Sequence, residues 1–250
     1  MGSIDLAGRV ALVTGATSGI GAATAELFAE RGAYVLVAGR DAVRGESVVA
    51  GIRERGGKAD FLAADLADAD SAHRLAQQAT ELGGGAVDIL VNSAGVFPFG
   101  PTADASARDV DAVYDLNVKV PFHLVARLAP AMAGRGSGAI VNVSTMVAEY
   151  GAAGMALYGS SKAALNLLTK AWAAEFGPSG VRVNAVEPGP TRTGGTAAMG
   201  EGLDALASQA PAGRPAEARE IAEAIAYLAG DAASFVQGAI LPVDGGRTAV

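Results

Sequence analysis

Apolar β-type runs alternate with helix-patterned stretches along the whole chain, and this alternation restricts the fold more than any other property of the sequence. The runs lie near residues 9–14, 34–38, 59–63, 87–92, 138–143, 181–186 and 238–243. Strands separated by helices in this way build right-handed βαβ units. The pattern predicts an α/β fold with a single doubly wound parallel sheet of about seven strands and helices on both faces, the chain crossing to the other half of the sheet after the third strand. A ligand crevice is expected at that switch point. With 50% apolar residues in a chain of 250, both faces of such a sheet can be covered without disulfides or metals. No Pro/Ser-rich linker and no repeat period divides the chain, so residues 1–250 read as one domain. The least regular stretch, 190–215, holds Gly194, Gly195, Gly200, Gly202 and Gly213 around a short helical pattern and reads as a substrate loop or lid, with a plain surface loop as the other reading.

Charge and composition remove several classes of function. A formal net charge of −7 with no Lys/Arg cluster argues against nucleic acid. There is no cysteine, and His73 and His123 are the only histidines, so no metal site is expected. No apolar stretch approaches membrane-spanning length and the N-terminus lacks a signal-like segment, so a soluble, cytoplasmic protein with no membrane partner is expected.

Two local patterns carry chemistry. The first strand runs through Thr14 into Gly15-Ala16-Thr17-Ser18-Gly19-Ile20-Gly21 and then an amphipathic helix. Glycines let the backbone turn tightly beside a pyrophosphate, and the helix start offers unpaired N–H groups and partial positive charge. The spacing is not the common G-x-G-x-x-G fingerprint. Further on, Tyr158 and Lys162 stand four residues apart, which places a phenol and an ammonium on one helix face. A nearby positive charge favours the phenolate, so the pair can exchange a proton with an alcohol or carbonyl oxygen.

Taken together, Thr14-Gly15-x-x-x-Gly19-Ile20-Gly21, Asn92-Ser93-Ala94-Gly95, Asn117, Ser144-Thr145, Tyr158-x-x-x-Lys162 and Pro188-Gly189 resemble the classical short-chain dehydrogenase/reductase family, over roughly residues 5–246. The resemblance implies a Rossmann-like domain that binds a nicotinamide dinucleotide. It assigns Gly15, Thr17, Ser18, Gly19, Ile20 and Gly21 to the pyrophosphate. Asp65 and Leu66 would meet the adenine, although Asp65 or Asp68 could equally cap the next helix. Asn92, Ala94 and Gly95 would let the cofactor pass close to the backbone, with Ser93 where relatives usually show a second asparagine. Pro188, Gly189, Thr191 and Thr193 would hold the nicotinamide end. At the close of the second strand Gly39 stands where an acid would accept from the ribose hydroxyls, and Arg40 follows, which resembles the NADP-preferring branch. Ser18 replaces the basic residue that some NADP-binding members carry, and Asp41 would be the ribose acid only if the strand ended later. NADP(H) is the expected cofactor, with NAD possible.

In the catalytic half the resemblance implies that Tyr158 supplies the proton, that Lys162 lowers its pKa and holds the nicotinamide ribose, and that Asn117 organises a water linking Lys162 to solvent. The hydroxyl that steadies the substrate oxygen is Thr145, thirteen residues before Tyr158, or Ser144, fourteen before; the shorter interval favours Thr145. Pocket positions are expected at Val96, Phe97, Pro98 and Phe99, between Met146 and Met155, and in the 194–213 loop. They are mostly apolar, with Glu149 and Tyr150 as the polar exceptions, which favours an uncharged, moderately hydrophobic ketone or secondary alcohol. The tail Val243-Asp244-Gly245-Gly246-Arg247 and the helices expected at 106–133 and 156–177 imply a homotetramer. The competing functions are an NAD-dependent alcohol dehydrogenase and a dinucleotide sensor that keeps the fold without the chemistry.

Overall fold

The computed structural model describes residues 5–250. Its main sheet has seven strands, all parallel, in the order β3-β2-β1-β4-β5-β6-β9. These are β1 (Val10–Thr14), β2 (Tyr34–Gly39), β3 (Lys58–Ala63), β4 (Ile89–Asn92), β5 (Gly138–Val143), β6 (Val181–Pro188) and β9 (Ile240–Val243). The chain winds outward from β1 to the edge at β3 and then returns to pair β4 with β1, so the switch falls after the third strand, as the alternation predicts.

Side chains alternate between the two faces of each strand. From β1, Ala11 and Val13 join a core with Phe28 of α1 (Gly19–Glu30), Val49 and Ile52 of α2 (Ala42–Glu54), and Ile221 and Ile225 of α8 (Ala218–Ala229). Leu12 faces the opposite core, built with Leu75 of α3 (Ala69–Leu82), Leu124 and Met132 of α5 (Val120–Gly134), and Leu165 and Trp172 of α6 (Ala156–Phe176). His73 and His123, far apart in sequence, meet between α3 and α5 with rings edge to face at 5.4 Å, a helix-packing contact.

The helix expected over 106–133 is interrupted. It begins as α4 (Ala107–Tyr114), widens into a π-helical turn over Asp115–Lys119, and resumes as α5. Pro121 explains the widening, because it has no N–H to donate to the carbonyl of Asn117 four residues earlier. The 190–215 stretch is pinned at its base: β7 (Thr191–Arg192) pairs in parallel with β8 (Ala216–Glu217), and α7 (Glu201–Ala207) buries Leu203 and Ala207 between them. The tail after β9 holds that base, with Ala212 N–H donating to the Gly245 carbonyl at 2.9 Å. Among the described residues no helix is long and apolar enough to cross a membrane.

Candidate active site

The carboxyl ends of the central strands open into a cleft of about 1110 Å³. One wall is the glycine turn after β1. Gly15 has φ +66°, and a Cβ there would fall 2.8 Å from the Cα of Ala94, so the turn lies against the loop after β4 with no room for a side chain. A Cβ on Gly21 would fall 2.4 Å from the Gly15 carbonyl oxygen, which seats α1 directly on the turn. The Thr14 hydroxyl accepts from the N–H groups of Ser93 and Ala94, both at 3.1 Å, and joins the two loops. No acidic residue occupies the first turn of α1 and the Ser18 side chain makes no capping bond, so the N–H groups and positive end of that helix face the cleft uncompensated. Thr17, Ser18, Gly19 and Ile20 line the cleft, and Thr193 approaches Gly19 from the opposite side, 3.3 Å from where its Cβ would be.

At the adenosine end, β2 stops at Gly39 and exposed Arg40 lines the cleft beside Arg44 from the first turn of α2. Asp41 is occupied elsewhere: it caps α2 by accepting from the Arg44 N–H at 3.0 Å and pairs with Arg44 Nε at 2.7 Å. Asp68 caps α3, accepting from the Ser71 N–H at 2.8 Å, which leaves Asp65 on the cleft wall with Leu66. A Cβ at Gly39 would meet the Thr17 methyl at 2.5 Å, so Thr17 fills the space that an acid here would enter. Asn92 stands apart from the cleft. Its buried amide donates to Asn142 at 2.8 Å, and Asn142 in turn donates to Thr169, so Asn92 ties β4 to β5 and α6. The opposite rim carries Pro188, Gly189, Thr191 and Thr193, braced by Thr196, whose hydroxyl donates to the Thr191 carbonyl at 2.7 Å.

The catalytic candidates meet at the centre. Tyr158 and Lys162 of α6 both line the cleft together with Thr145, whose hydroxyl acts to lower the pKa of the Tyr158 phenol. Ser144 turns to the helix backbone, donating to the Lys162 carbonyl at 3.4 Å, which leaves Thr145 as the candidate with a hydroxyl free of that contact. Lys162 Nζ donates to the Val143 carbonyl at 2.8 Å, and burial pushes the ammonium down to about 8. Burial also pushes the phenol up to about 12, with the Thr145 hydroxyl acting against it. Loss of hydration dominates the shift, and the lowering expected from the lysine charge is not seen in it. Tyr158 is therefore a neutral proton donor at physiological pH. A Cβ at Gly95 would lie 3.3 Å from Lys162 Nζ and 3.1 Å from Asn117 Oδ1, so a glycine leaves that space to the two side chains. The Asn117 amide clamps the backbone of Val96, accepting from its N–H at 3.0 Å and donating to its carbonyl at 2.9 Å, with a further bond to Ser161.

The remaining wall is largely apolar. Val96, Phe97, Phe99, Met146, Val147 and Met155 line it, together with Met199, Leu203 and Leu206 from the pinned 190–215 segment. The Phe97 ring lies 6.2 Å from the Tyr158 ring and packs against Gly195 of that segment. Pro98 and Glu149 do not line the cleft. Glu149 shares the Asn166 amide with buried Glu187, whose carboxyl is pushed up to about 7 chiefly by burial. Residues missed from the sequence include Arg44, whose place one helical turn after Asp41 was a usable signal. Arg108 and Asp111 of α4 had none, while Thr196 and Gln209 fall within the expected 194–213 loop.

A family model described as enoyl-(acyl carrier protein) reductase matches residues 15–248. The chain is 43% identical over 246 residues to a cis-4-hydroxycyclohexanecarboxylate dehydrogenase of Sinomonas cyclohexanicum, covering 97% of each protein. A solved structure from Beutenbergia cavernae, proposed to be an NAD(P)-dependent gluconate 5-dehydrogenase and holding NADP at low occupancy, superposes with a TM-score of 0.93 at 40% identity and full coverage of both chains. A blue fluorescent protein from a metagenomic library, in complex with NADPH, superposes with a TM-score of 0.92 at 35% identity, covering 97% of this chain and 99% of that one.

Proposed function

The chain belongs to the short-chain dehydrogenase/reductase family, and on that footing we propose that it is an NADP(H)-dependent oxidoreductase that interconverts a ketone and a secondary alcohol on an uncharged, moderately hydrophobic small molecule. The observation that carries this reading is a phenol and a threonine hydroxyl lining one cleft, with a buried lysine one helical turn from the phenol and a bare helix N-terminus at the cleft's start. The relative from Sinomonas cyclohexanicum is named for a ring alcohol, which supports a cyclic frame.

When bound, the nicotinamide cofactor supplies or accepts the hydride. The other requirements fall on this chain. Gly15, Thr17, Ser18, Gly19, Ile20 and Gly21 hold the pyrophosphate. Asp65 and Leu66 meet the adenine, Ala94 and Gly95 leave the cofactor its path, and Pro188, Gly189, Thr191 and Thr193 meet the nicotinamide amide. Arg40, helped by Arg44, grips the 2′-phosphate. The Tyr158 phenol gives its proton to the substrate oxygen in reduction and takes it back in oxidation, while the Thr145 hydroxyl steadies that oxygen as negative charge gathers on it. Lys162 offsets the charge of the phenolate left behind. Asn117 contributes the carbonyl that Pro121 leaves without a helical donor, to hold a water between Lys162 and solvent. Apolar residues exposed on α5 and α6, Phe122 and Leu167, support assembly as a homotetramer, and the reading includes a cytoplasmic location.

Fluorescence titration with NADPH and NADH, followed by NADPH oxidation with a panel of cyclic ketones, tests the proposal. NADPH is expected to bind about tenfold tighter or better, consistent with a charge-assisted bond, and to be oxidised by at least one ketone. Equal binding of both nucleotides would restore the NAD reading, and binding without oxidation by any ketone would favour a sensor.

A further inference from the structure

Arg247 follows the glycine pair after β9, and its neighbours Gly246 and Thr248 face a separate groove on the outer side of the tail. Its own side chain does not line the catalytic cleft but contacts two residues that do. The guanidinium carbon stands 5.0 Å from the centroid of the Tyr150 ring, and Nη2 donates to Gln209 Oε1 at a long 3.4 Å. Tyr150 and Gln209 both line the cleft, so Arg247 stands directly behind its wall. Its Nε is buried and has no hydrogen-bond partner. Asp244, the nearest acid in the tail, is already engaged by the N–H groups of Gly246 and Thr248 and by the Thr248 hydroxyl.

An arginine with a buried unused donor, a long amide contact and no paired carboxylate is an incomplete anion site, because burying such a donor unpaired is unfavourable. The planar guanidinium fork matches a carboxylate, and the Gln209 oxygen marks where one acceptor oxygen fits. Val147, Leu203 and Leu206 belong to the same cleft and suit a compact hydrocarbon body. We propose that Arg247 is a specificity-determining residue, and that the preferred substrate is an oxo or hydroxy acid whose carboxylate docks on Arg247 in place of the Gln209 amide. The inference rests on the oxidoreductase reading and replaces its uncharged substrate with one that is apolar around the reacting carbon and anionic at its far end.

Two measurements separate the inference from that reading. In calorimetric titration of the NADP-loaded protein, cyclohexanecarboxylate is expected to bind about tenfold or more tightly than cyclohexanecarboxamide, and Arg247→Met is expected to erase the difference while Arg247→Lys keeps part of it. In turnover, the KM for 4-oxocyclohexanecarboxylate is expected to rise about 10- to 100-fold in Arg247→Met, with kcat and KM for its methyl ester nearly unchanged. A wild-type protein that binds the acid no better than the amide, or an Arg247→Met variant that retains the preference, overturns the proposal. Arg247-dependent acid binding without turnover of acid or ester would leave the site standing and remove the oxidoreductase reading. Equal use of acid and ester would do the reverse.

Discussion

Lys162 holds an almost fully buried ammonium, and this has a measurable consequence. Its pKa lies near 8 in the folded chain against 10.5 in the ordinary state. Below pH 8 the fold bears the full cost of burying the charge, and above about 10.5 the cost is gone, so stability at this position rises with pH between the two values. Lys162→Met is expected to raise stability at pH 7 by roughly 3 kcal/mol at most, and the thermal midpoint with it, the gain shrinking toward pH 10. Thermal melts at both pH values check this, and a constant gain would contradict it. Thr145 and Ser144 are distinguished in the same direct way. Thr145→Val removes the hydroxyl that shares the cleft with Tyr158 and is expected to lower kcat about 10²- to 10³-fold, while Ser144→Ala, which removes a bond to a helix carbonyl, should change it little. Steady-state rates that fall only in Ser144→Ala would reverse the assignment. Gly39 is constrained by its neighbour. Because a Cβ there meets the Thr17 methyl at 2.5 Å, Gly39→Asp alone should weaken NADPH and NADH alike. Adding Thr17→Ser should recover NADH binding in a fluorescence titration, and a single Gly39→Asp variant that already prefers NADH would show that Thr17 yields freely.

Between residues and fold, the elements that matter are those whose ends meet at the cleft. The long helix that presents Asn117 was legible in the sequence as one helix, and its widened turn was not, although Pro121 carries the cause in plain view. A proline four residues after a carbonyl removes that carbonyl's donor, but whether the chain kinks, frays or widens depends on what the freed turn packs against. Here it packs against Val96 and Ser161 through Asn117. The 190–215 segment is held at its base by β7 and β8 and touches Phe97 through Gly195. If Phe97 closes the segment over Tyr158, Phe97→Ala should raise the KM for ketone several-fold and leave the NADPH dissociation constant unchanged. A matching loss of NADPH affinity would place Phe97 in cofactor binding instead.

For the molecule as a whole, topology was the most legible property, because parallel strands demand crossovers and the alternation of runs leaves few ways to arrange them. The glycine turn and the Tyr158–Lys162 spacing were legible for the same reason, each being local in sequence. What the sequence did not disclose depends on contacts between distant segments. Arg247 reaches Tyr150 and Gln209 only because the tail folds across the base of the 190–215 segment, and Asn92 pairs with Asn142 across two strands instead of facing the cleft. The balance of charge at the centre was also hidden, since burial depth decides that Tyr158 rests as a neutral phenol. Tyr158→Phe tests the central claim most directly, because it removes one oxygen and leaves the ring against Phe97. With the ketone that the wild-type protein reduces best, turnover should disappear while the NADPH dissociation constant, read by fluorescence, stays within about twofold of wild type, since catalysis and nucleotide binding use different atoms. Substantial residual reduction by Tyr158→Phe would contradict the account.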